Sequence, residues 1–110
     1  MTPDSAAFDL AELAGERARS GRPYSEFLRV PALSAGLYEL AAGAADTQNP
    51  HRQAEVYYVI AGRADFRAGS RLTPVKPDSI VYVAAGIDHR FENIRENLLL
   101  LVIFAPAETK

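Results

Sequence analysis

Three observations predict an all-β fold for this chain, a sandwich or barrel preceded by a short helix. Its 110 residues fit one compact domain of ordinary size. From residue 26 onward, short runs rich in valine, isoleucine and tyrosine are separated by glycine, proline and other turn residues. Turns at about every 6–12 positions, with no helical pattern between the runs, are typical of sandwiches and barrels.

The first 25 residues have a different pattern. Asp9 and Glu12 have the spacing of a helix capping box, and apolar residues follow at helical intervals. The segment Ser20–Pro23 then stops the helix. We therefore expect a helix over about residues 9–19 within an N-terminal segment 1–25, followed by a β domain over residues 26–110.

Eight strands are predicted in the β domain. Glycine and proline set most of their ends, and Pro74 favours an edge position because it cannot donate a hydrogen bond to a neighbouring strand. The predicted strands are Glu26–Val30, Leu33–Leu40, Glu55–Ile60, Arg63–Arg67, Arg71–Val75, Ser79–Val83, His89–Ile94 and Leu98–Phe104.

The last predicted strand is apolar at every position from Leu98 to Phe104. A strand with one solvated face alternates polar and apolar residues, so this strand needs cover on both faces. One face can line the interior. The other needs either the chain's own N-terminal segment or a second copy of the chain, and on the second alternative we expect a homodimer.

Composition excludes several classes of protein and site. The chain has no cysteine, which rules out disulfides and thiolate metal sites. The net charge is −2, and the arginines are scattered among acidic residues, so we expect no nucleic-acid partner. No apolar run approaches the roughly 20 residues of a membrane span, and no basic patch leads into an apolar stretch at the start. We expect a cytoplasmic protein.

The only two histidines, His51 and His89, both lie beside turn residues at a strand boundary. Glu55 opens an apolar, aromatic strand, where a buried carboxylate needs a partner. Two imidazoles and a carboxylate that converge inside a barrel form a facial triad with open positions. Four residues of extended strand span about 13 Å, so the segment from His51 to Glu55 must bend for both to reach one ion. The alternative is that hydrogen bonds satisfy both histidines and no metal binds.

The segment from Gly43 to Gly62 resembles the first motif of the cupin family. Five residues separate Gly43 from Asn49, three separate His51 from Glu55, and six separate Glu55 from Gly62, as in that motif. The departure is Asn49, which stands where the motif has its first histidine.

The segment from Pro77 to Asn93 resembles the second cupin motif. Two residues separate Gly86 from His89 and three separate His89 from Asn93, as in the family. Pro77 and Ala84 stand where the motif has glycine and proline. With flanking strands, the resemblance covers roughly residues 26–105. It implies a single-domain jelly-roll β-barrel.

The resemblance also implies one divalent metal ion, which can be iron, manganese, nickel or zinc. Carried over position by position, the ligands are His51, Glu55 and His89. The fourth ligand is either Asn49 or Gln48, and we favour Gln48 because the run Gln48-Asn49-Pro50-His51 resembles a bacterial cupin subgroup.

Strand parity places Tyr57 on the face of Glu55 and Phe91 on the face of His89. These two residues and Tyr38 are the candidate lining of a small-molecule pocket, the alternative being plain core. The resemblance leaves two classes of function open. One is a metal-dependent enzyme such as a dioxygenase, an isomerase or a small lyase. The other is a non-catalytic binding or sensory protein, or a module whose metal is structural.

Overall fold

The computed structural model describes residues 3–47 and 51–109. The elements are α1 Leu10–Ser20, β1 Tyr24–Val30, β2 Leu33–Leu40, β3 Ala54–Ala68, β4 Arg71–Val75, β5 Ile80–Val83 and β6 His89–Ala105. All of the strands belong to one antiparallel sheet in the order β1-β2-β6-β3-β4, with β5 paired to β3. This confirms the predicted all-β fold with a short N-terminal helix. Within the described ranges no pairing joins the edge strands β1 and β4, so hydrogen bonds do not close the sheet.

The described chain has six strands rather than eight, because β3 and β6 each span two predicted strands. The sequence predicts a break between two strands at Gly62, but this residue lies at a bend within β3, where the pairing with β6 shifts register. Its φ of 98° suits glycine alone. A Cβ there would overlap the carbonyl oxygen of Asn97 and lie 2.7 Å from the Cα of Leu98. Gly62 therefore lets two long strands bend together without breaking.

The helix begins and ends as the sequence predicts. The side chain of Asp9 accepts a hydrogen bond from the backbone N–H of Glu12 at 3.0 Å, and Gly21 ends the helix in the left-handed region with φ 72°. Arg17 pairs with Glu39 at 3.0 Å and so fixes the helix against β2. The division at residue 25 stays a prediction, although β1 already begins at Tyr24. No helix in the described parts of the chain is long and apolar enough to cross a membrane.

The apolar strand at the end of the chain alternates in burial. Its even-numbered residues from Leu98 to Phe104 are buried in the core, whereas Leu99, Leu101 and Ile103 on the outer face are only half-buried. The helix packs against β1 and β2. The N-terminal segment therefore does not fully bury the outer face of β6.

Asp46, in the loop after β2, is buried and hydrogen-bonded to residues of β2 and β6. It is 7% exposed, and its carboxylate accepts hydrogen bonds from the hydroxyl of Tyr38 at 2.9 Å and from the backbone N–H of Phe91 at 2.9 Å. Hydrogen bonds to a charged acceptor are among the stronger ones in proteins. This residue holds the start of the β2–β3 connection beside β6.

We expect Asp46→Ala to lower the free energy of unfolding by about 2–4 kcal/mol, because it leaves the buried N–H of Phe91 and the Tyr38 hydroxyl without this acceptor. Urea unfolding followed by circular dichroism measures the change. Asp88→Ala, at an exposed position on the β5–β6 connection, is the control and should shift the midpoint little. Equal midpoints for wild type and Asp46→Ala would contradict this interpretation of Asp46.

Candidate metal centre and adjoining cavity

Three different segments bring the candidate ligands to one end of the sheet. Glu55 is the second residue of β3, and its inward side is fixed by pairing with Phe104 of β6 and Val83 of β5. His89 is the first residue of β6. His51 precedes β3, and its carbonyl accepts a hydrogen bond from the N–H of Gly86 at 2.8 Å, which joins the two turns that carry the histidines.

The ligating atoms of His51, Glu55 and His89 all lie within 4.8 Å of one another. Nδ1 of His51 touches Oε1 of Glu55, and Nε2 of His89 lies 3.3 Å from Oε2 of the same carboxylate. The chain bends at Arg52 and Gln53 before the strand begins, which shortens the span from His51 to Glu55. Gln48 and Asn49, the two candidates for a fourth ligand, lie outside the described residues.

The polar atoms at the centre of this cluster are buried and crowd against one another without forming hydrogen bonds. Glu55 is 1% exposed, and neither of its oxygens nor Nδ1 of His51 has a hydrogen-bond partner in the described part of the chain. A buried carboxylate without hydrogen bonds costs on the order of several kcal/mol. A divalent cation among these atoms would neutralise the charge and satisfy the lone pairs. The residues present therefore fit a metal ion.

Contacts outside the cluster orient both imidazoles. Nδ1 of His89 donates to the carbonyl oxygen of Ile87 at 2.8 Å, which leaves Nε2 facing Glu55. Nε2 of His51 lies 3.3 Å from Oε2 of Glu108, which leaves Nδ1 facing Glu55. Carbonyl and carboxylate partners on the far nitrogen are the usual means by which proteins fix the tautomer of a metal-binding histidine.

The surroundings of His89 shift its pKa. Burial by itself lowers the pKa of His89, but the close contact with the Glu55 carboxylate and the hydrogen bond to the Ile87 carbonyl outweigh burial, so the pKa is raised. The hydroxyl of Tyr57 lies 3.1 Å from Nε2 of His89 and borders the same cluster.

A cavity of about 180 Å³ opens beside His51. Its walls are mostly aromatic, with a carboxylate at one side, and it is smaller than the roughly 300–1,000 Å³ of sites for drug-sized ligands. The lining residues are Tyr24, Tyr38, His51, Tyr57, Val102, Phe104 and Glu108.

Two of the three candidate pocket residues line the cavity, and the third lies in the core. Tyr38 and Tyr57 line the cavity. Phe91 does not: it is 1% exposed and packs in the core, with ring centroids 5.1 Å from Tyr57 and 4.9 Å from Phe66. Parity gives the face of a residue but not its position along the strand relative to the cavity, and Phe91 packs among core rings instead of at the cavity wall.

Sequence reasoning missed four of the residues that line the cavity, Tyr24, Val102, Phe104 and Glu108. Glu108 reaches the site because the C-terminal tail folds back, its N–H donating to Oγ of Ser34 at 2.8 Å. Nothing in the sequence indicates that fold-back. The signal for Tyr24 was Gly36, since a glycine inside a strand marks a close approach by another group.

Comparison with known proteins agrees with this architecture. The family model described as "Cupin domain" matches residues 36–104, which is more than half of the chain. The chain is a member of the cupin family. The matched range contains all three residues of the candidate metal cluster.

An uncharacterized protein of Streptomyces coelicolor is 48% identical to this cupin over 103 residues, which cover 94% of this chain and 98% of the relative. Among solved structures, the Thermus thermophilus protein TT1209 is 25% identical with a TM-score of 0.71, covering 92% of this chain and 97% of its own. An uncharacterized Klebsiella pneumoniae protein with a double-stranded β-helix domain has a TM-score of 0.75 at 20% identity, covering 94% of this cupin and 91% of its own chain. This last likeness is one of fold alone.

Proposed function

We propose that this cupin binds one divalent metal ion through His51, Glu55 and His89 and holds a small molecule in the adjoining cavity. The observation that carries the proposal is that the buried ligand atoms of Glu55 and Nδ1 of His51 converge yet have no hydrogen-bond partner among the described residues. Gln48 is the proposed fourth ligand. Iron, manganese, nickel and zinc all accept a set of imidazole and carboxylate ligands.

The class of activity that we propose is that of a metal-dependent dioxygenase or isomerase. A metal with open positions supplies Lewis-acid or oxygen-activating chemistry when bound. The chain's own residues supply the surroundings: aromatic walls that exclude water, and the Glu108 carboxylate at the cavity wall. Glu108 also contacts His51 and so helps to orient one of the proposed ligands.

The second candidate is a non-catalytic binding or sensory cupin. The small volume beside the cluster is the observation that favours it, since a cavity of about 180 Å³ can retain a ligand without turning it over. Substrate-dependent oxygen uptake or isomerisation by the metal-loaded protein separates the two. Tight ligand binding without turnover would support the second candidate.

We expect the purified protein to carry close to one divalent metal ion per chain, and His51→Ala to lose it. The reason is that His51 supplies one of only two imidazoles in the chain. Elemental analysis after reconstitution measures the metal content. Arg52→Ala, next along the chain and exposed, is the matched control and should retain the metal. Negligible metal in both wild type and control would contradict the proposed function.

We also propose that two copies associate through the outer face of the sheet. Ile80 and Tyr82 on β5 are 70% and 68% exposed and continue the outer face of β3 at Tyr58 and Val56, their pairing partners. These four side chains carry no charge, so a second copy can pack against them without like-charge repulsion. A two-fold axis can then pair the patch with itself.

Light scattering tests this arrangement. We expect a particle of twice the 12.0 kDa chain mass, and a shift to the monomer on Tyr82→Glu, because two carboxylates would be buried at the contact. Thr73→Glu, exposed on β4, is the control. A wild-type monomer at high concentration would exclude the homodimer.

A further inference from the structure

The phenol ring of Tyr24 crosses the neighbouring strand to reach the cavity. Tyr24 opens β1, and its ring and hydroxyl lie over Gly36 of β2, where a Cβ would collide with both. Edge-on contacts with Tyr38 and Phe104, each with centroids 6.3 Å apart, hold the ring in this place. The absence of a side chain at residue 36 therefore allows Tyr24 to line the cavity.

The Tyr24 hydroxyl differs from those of the other two cavity tyrosines. Tyr38 donates to Asp46 at 2.9 Å, and the Tyr57 hydroxyl lies 3.1 Å from Nε2 of His89. The Tyr24 hydroxyl is fully enclosed, yet across residues 3–47 and 51–109 no atom pairs with it. A buried unpaired hydroxyl is costly and uncommon in folded proteins, so one that borders a cavity indicates where a ligand atom binds.

We propose that the Tyr24 hydroxyl donates a hydrogen bond to a neutral carbonyl oxygen of the small molecule held in the cavity. This rests on the proposed function, because the metal cluster lies beside the same cavity. Tyr24 is then a second anchor, separate from the metal ligands. It selects molecules that carry an oxygen acceptor on a small, mainly apolar frame.

The surroundings of Tyr24 favour a neutral acceptor over an anion. Burial and the nearby carboxylates of Glu108 and Glu26 raise the pKa of Tyr24, so at neutral pH the phenol keeps its proton and acts as a donor. Glu108 also lines the cavity, and its negative charge disfavours a carboxylate ligand next to it. Aromatic walls and the small volume restrict the rest of the molecule.

Acetophenone is a suitable probe because it carries a single neutral acceptor on a flat apolar frame, and α-methylstyrene has the same shape without the oxygen. We expect the full-length protein to bind acetophenone at Tyr24 and Gly36, as followed by NMR shifts. Tyr24→Phe should weaken that binding roughly tenfold while leaving binding of α-methylstyrene unchanged. Tyr82→Phe on the outer face is the control and should bind acetophenone as the wild type does.

Thermal unfolding gives an independent readout. Tyr24→Phe removes a hydroxyl that has no partner among the described residues, so we expect an unchanged or higher melting temperature. Tyr38→Phe loses its hydrogen bond to Asp46 and should melt lower. A marked loss of stability in Tyr24→Phe would assign the hydroxyl a structural role and overturn the inference.

Three further outcomes would also overturn it: no acetophenone binding by the wild type, equal binding by wild type and Tyr24→Phe, or tighter binding of benzoate than of acetophenone. The titrations are run on metal-free and metal-loaded protein. A protein that takes up no metal but shows the tenfold effect of Tyr24→Phe would contradict the metal site alone. A protein that loads metal but shows no such effect would contradict the assignment of Tyr24 alone.

Discussion

Glu55→Gln should abolish divalent-metal binding and leave the metal-free protein at least as stable as the wild type. The substitution removes the charge that draws a cation, and it also removes a buried carboxylate that has no hydrogen-bond partner among the described residues. The new amide can donate to Nε2 of His89, which lies 3.3 Å from Oε2 of the present carboxylate. Changes outside the coordination sphere already cost about 10–100-fold in metal affinity, so loss of a ligand should cost more than about 100-fold.

Calorimetric titration with Zn²⁺ and melting curves with and without the metal measure both effects. Added metal should raise the melting temperature of the wild type, because a ligand that binds only the folded state stabilises it, but should not raise that of Glu55→Gln. Glu96→Gln changes an exposed glutamate of β6 and serves as the control. Equal affinity of wild type and Glu55→Gln would show that the cluster does not bind the ion.

Gly62→Ala should be the most destabilising single-methyl addition among the glycines of the chain that have a positive φ. Forcing a Cβ into a backbone with φ 98° costs about 1–3 kcal/mol, and overlap with the Asn97 carbonyl and Leu98 Cα adds a similar amount because backbone atoms cannot rotate away. We expect a loss of about 3 kcal/mol or more, which corresponds to a fall in melting temperature on the order of 10 °C.

Gly69→Ala separates the cost of backbone strain from the cost of overlap with neighbouring atoms. Gly69 also has a positive φ, 59°, but no described atom lies within 4 Å of its added Cβ, so only the backbone strain of about 1–2 kcal/mol applies. Urea unfolding at one chain concentration gives both values. If the two variants lost the same stability, close packing of β3 against β6 at Gly62 would not be the reason for the glycine.

The sequence was sufficient for features that depend on local pattern. The Asp9 cap, the end of the helix before Pro23, and the alternation that puts Glu55 and Tyr57 on one face all follow from neighbouring residues. The bend of the two long strands could not be predicted, because a glycine at position 62 is equally compatible with the end of a strand and with a bend inside one.

Features that depend on distant segments could not be predicted. Glu108 reaches His51 only because the tail after β6 returns across β2, where its N–H bonds to Ser34 and its carbonyl accepts from Arg29 at 2.8 Å. Tyr24 reaches the cavity only because it crosses Gly36. Phe91 has the parity of a pocket residue, but its neighbours in the core, Tyr57 and Phe66, place it away from the cavity wall.

X-ray absorption spectroscopy of the Zn²⁺-loaded protein tests the account of the metal centre most directly, because it counts the imidazoles bound to the ion. The cluster of His51, Glu55 and His89 predicts two imidazoles with oxygen ligands completing the sphere, and one imidazole in His89→Ala if that variant retains any metal. A bound ion surrounded by oxygen alone, unchanged in His89→Ala, would contradict it.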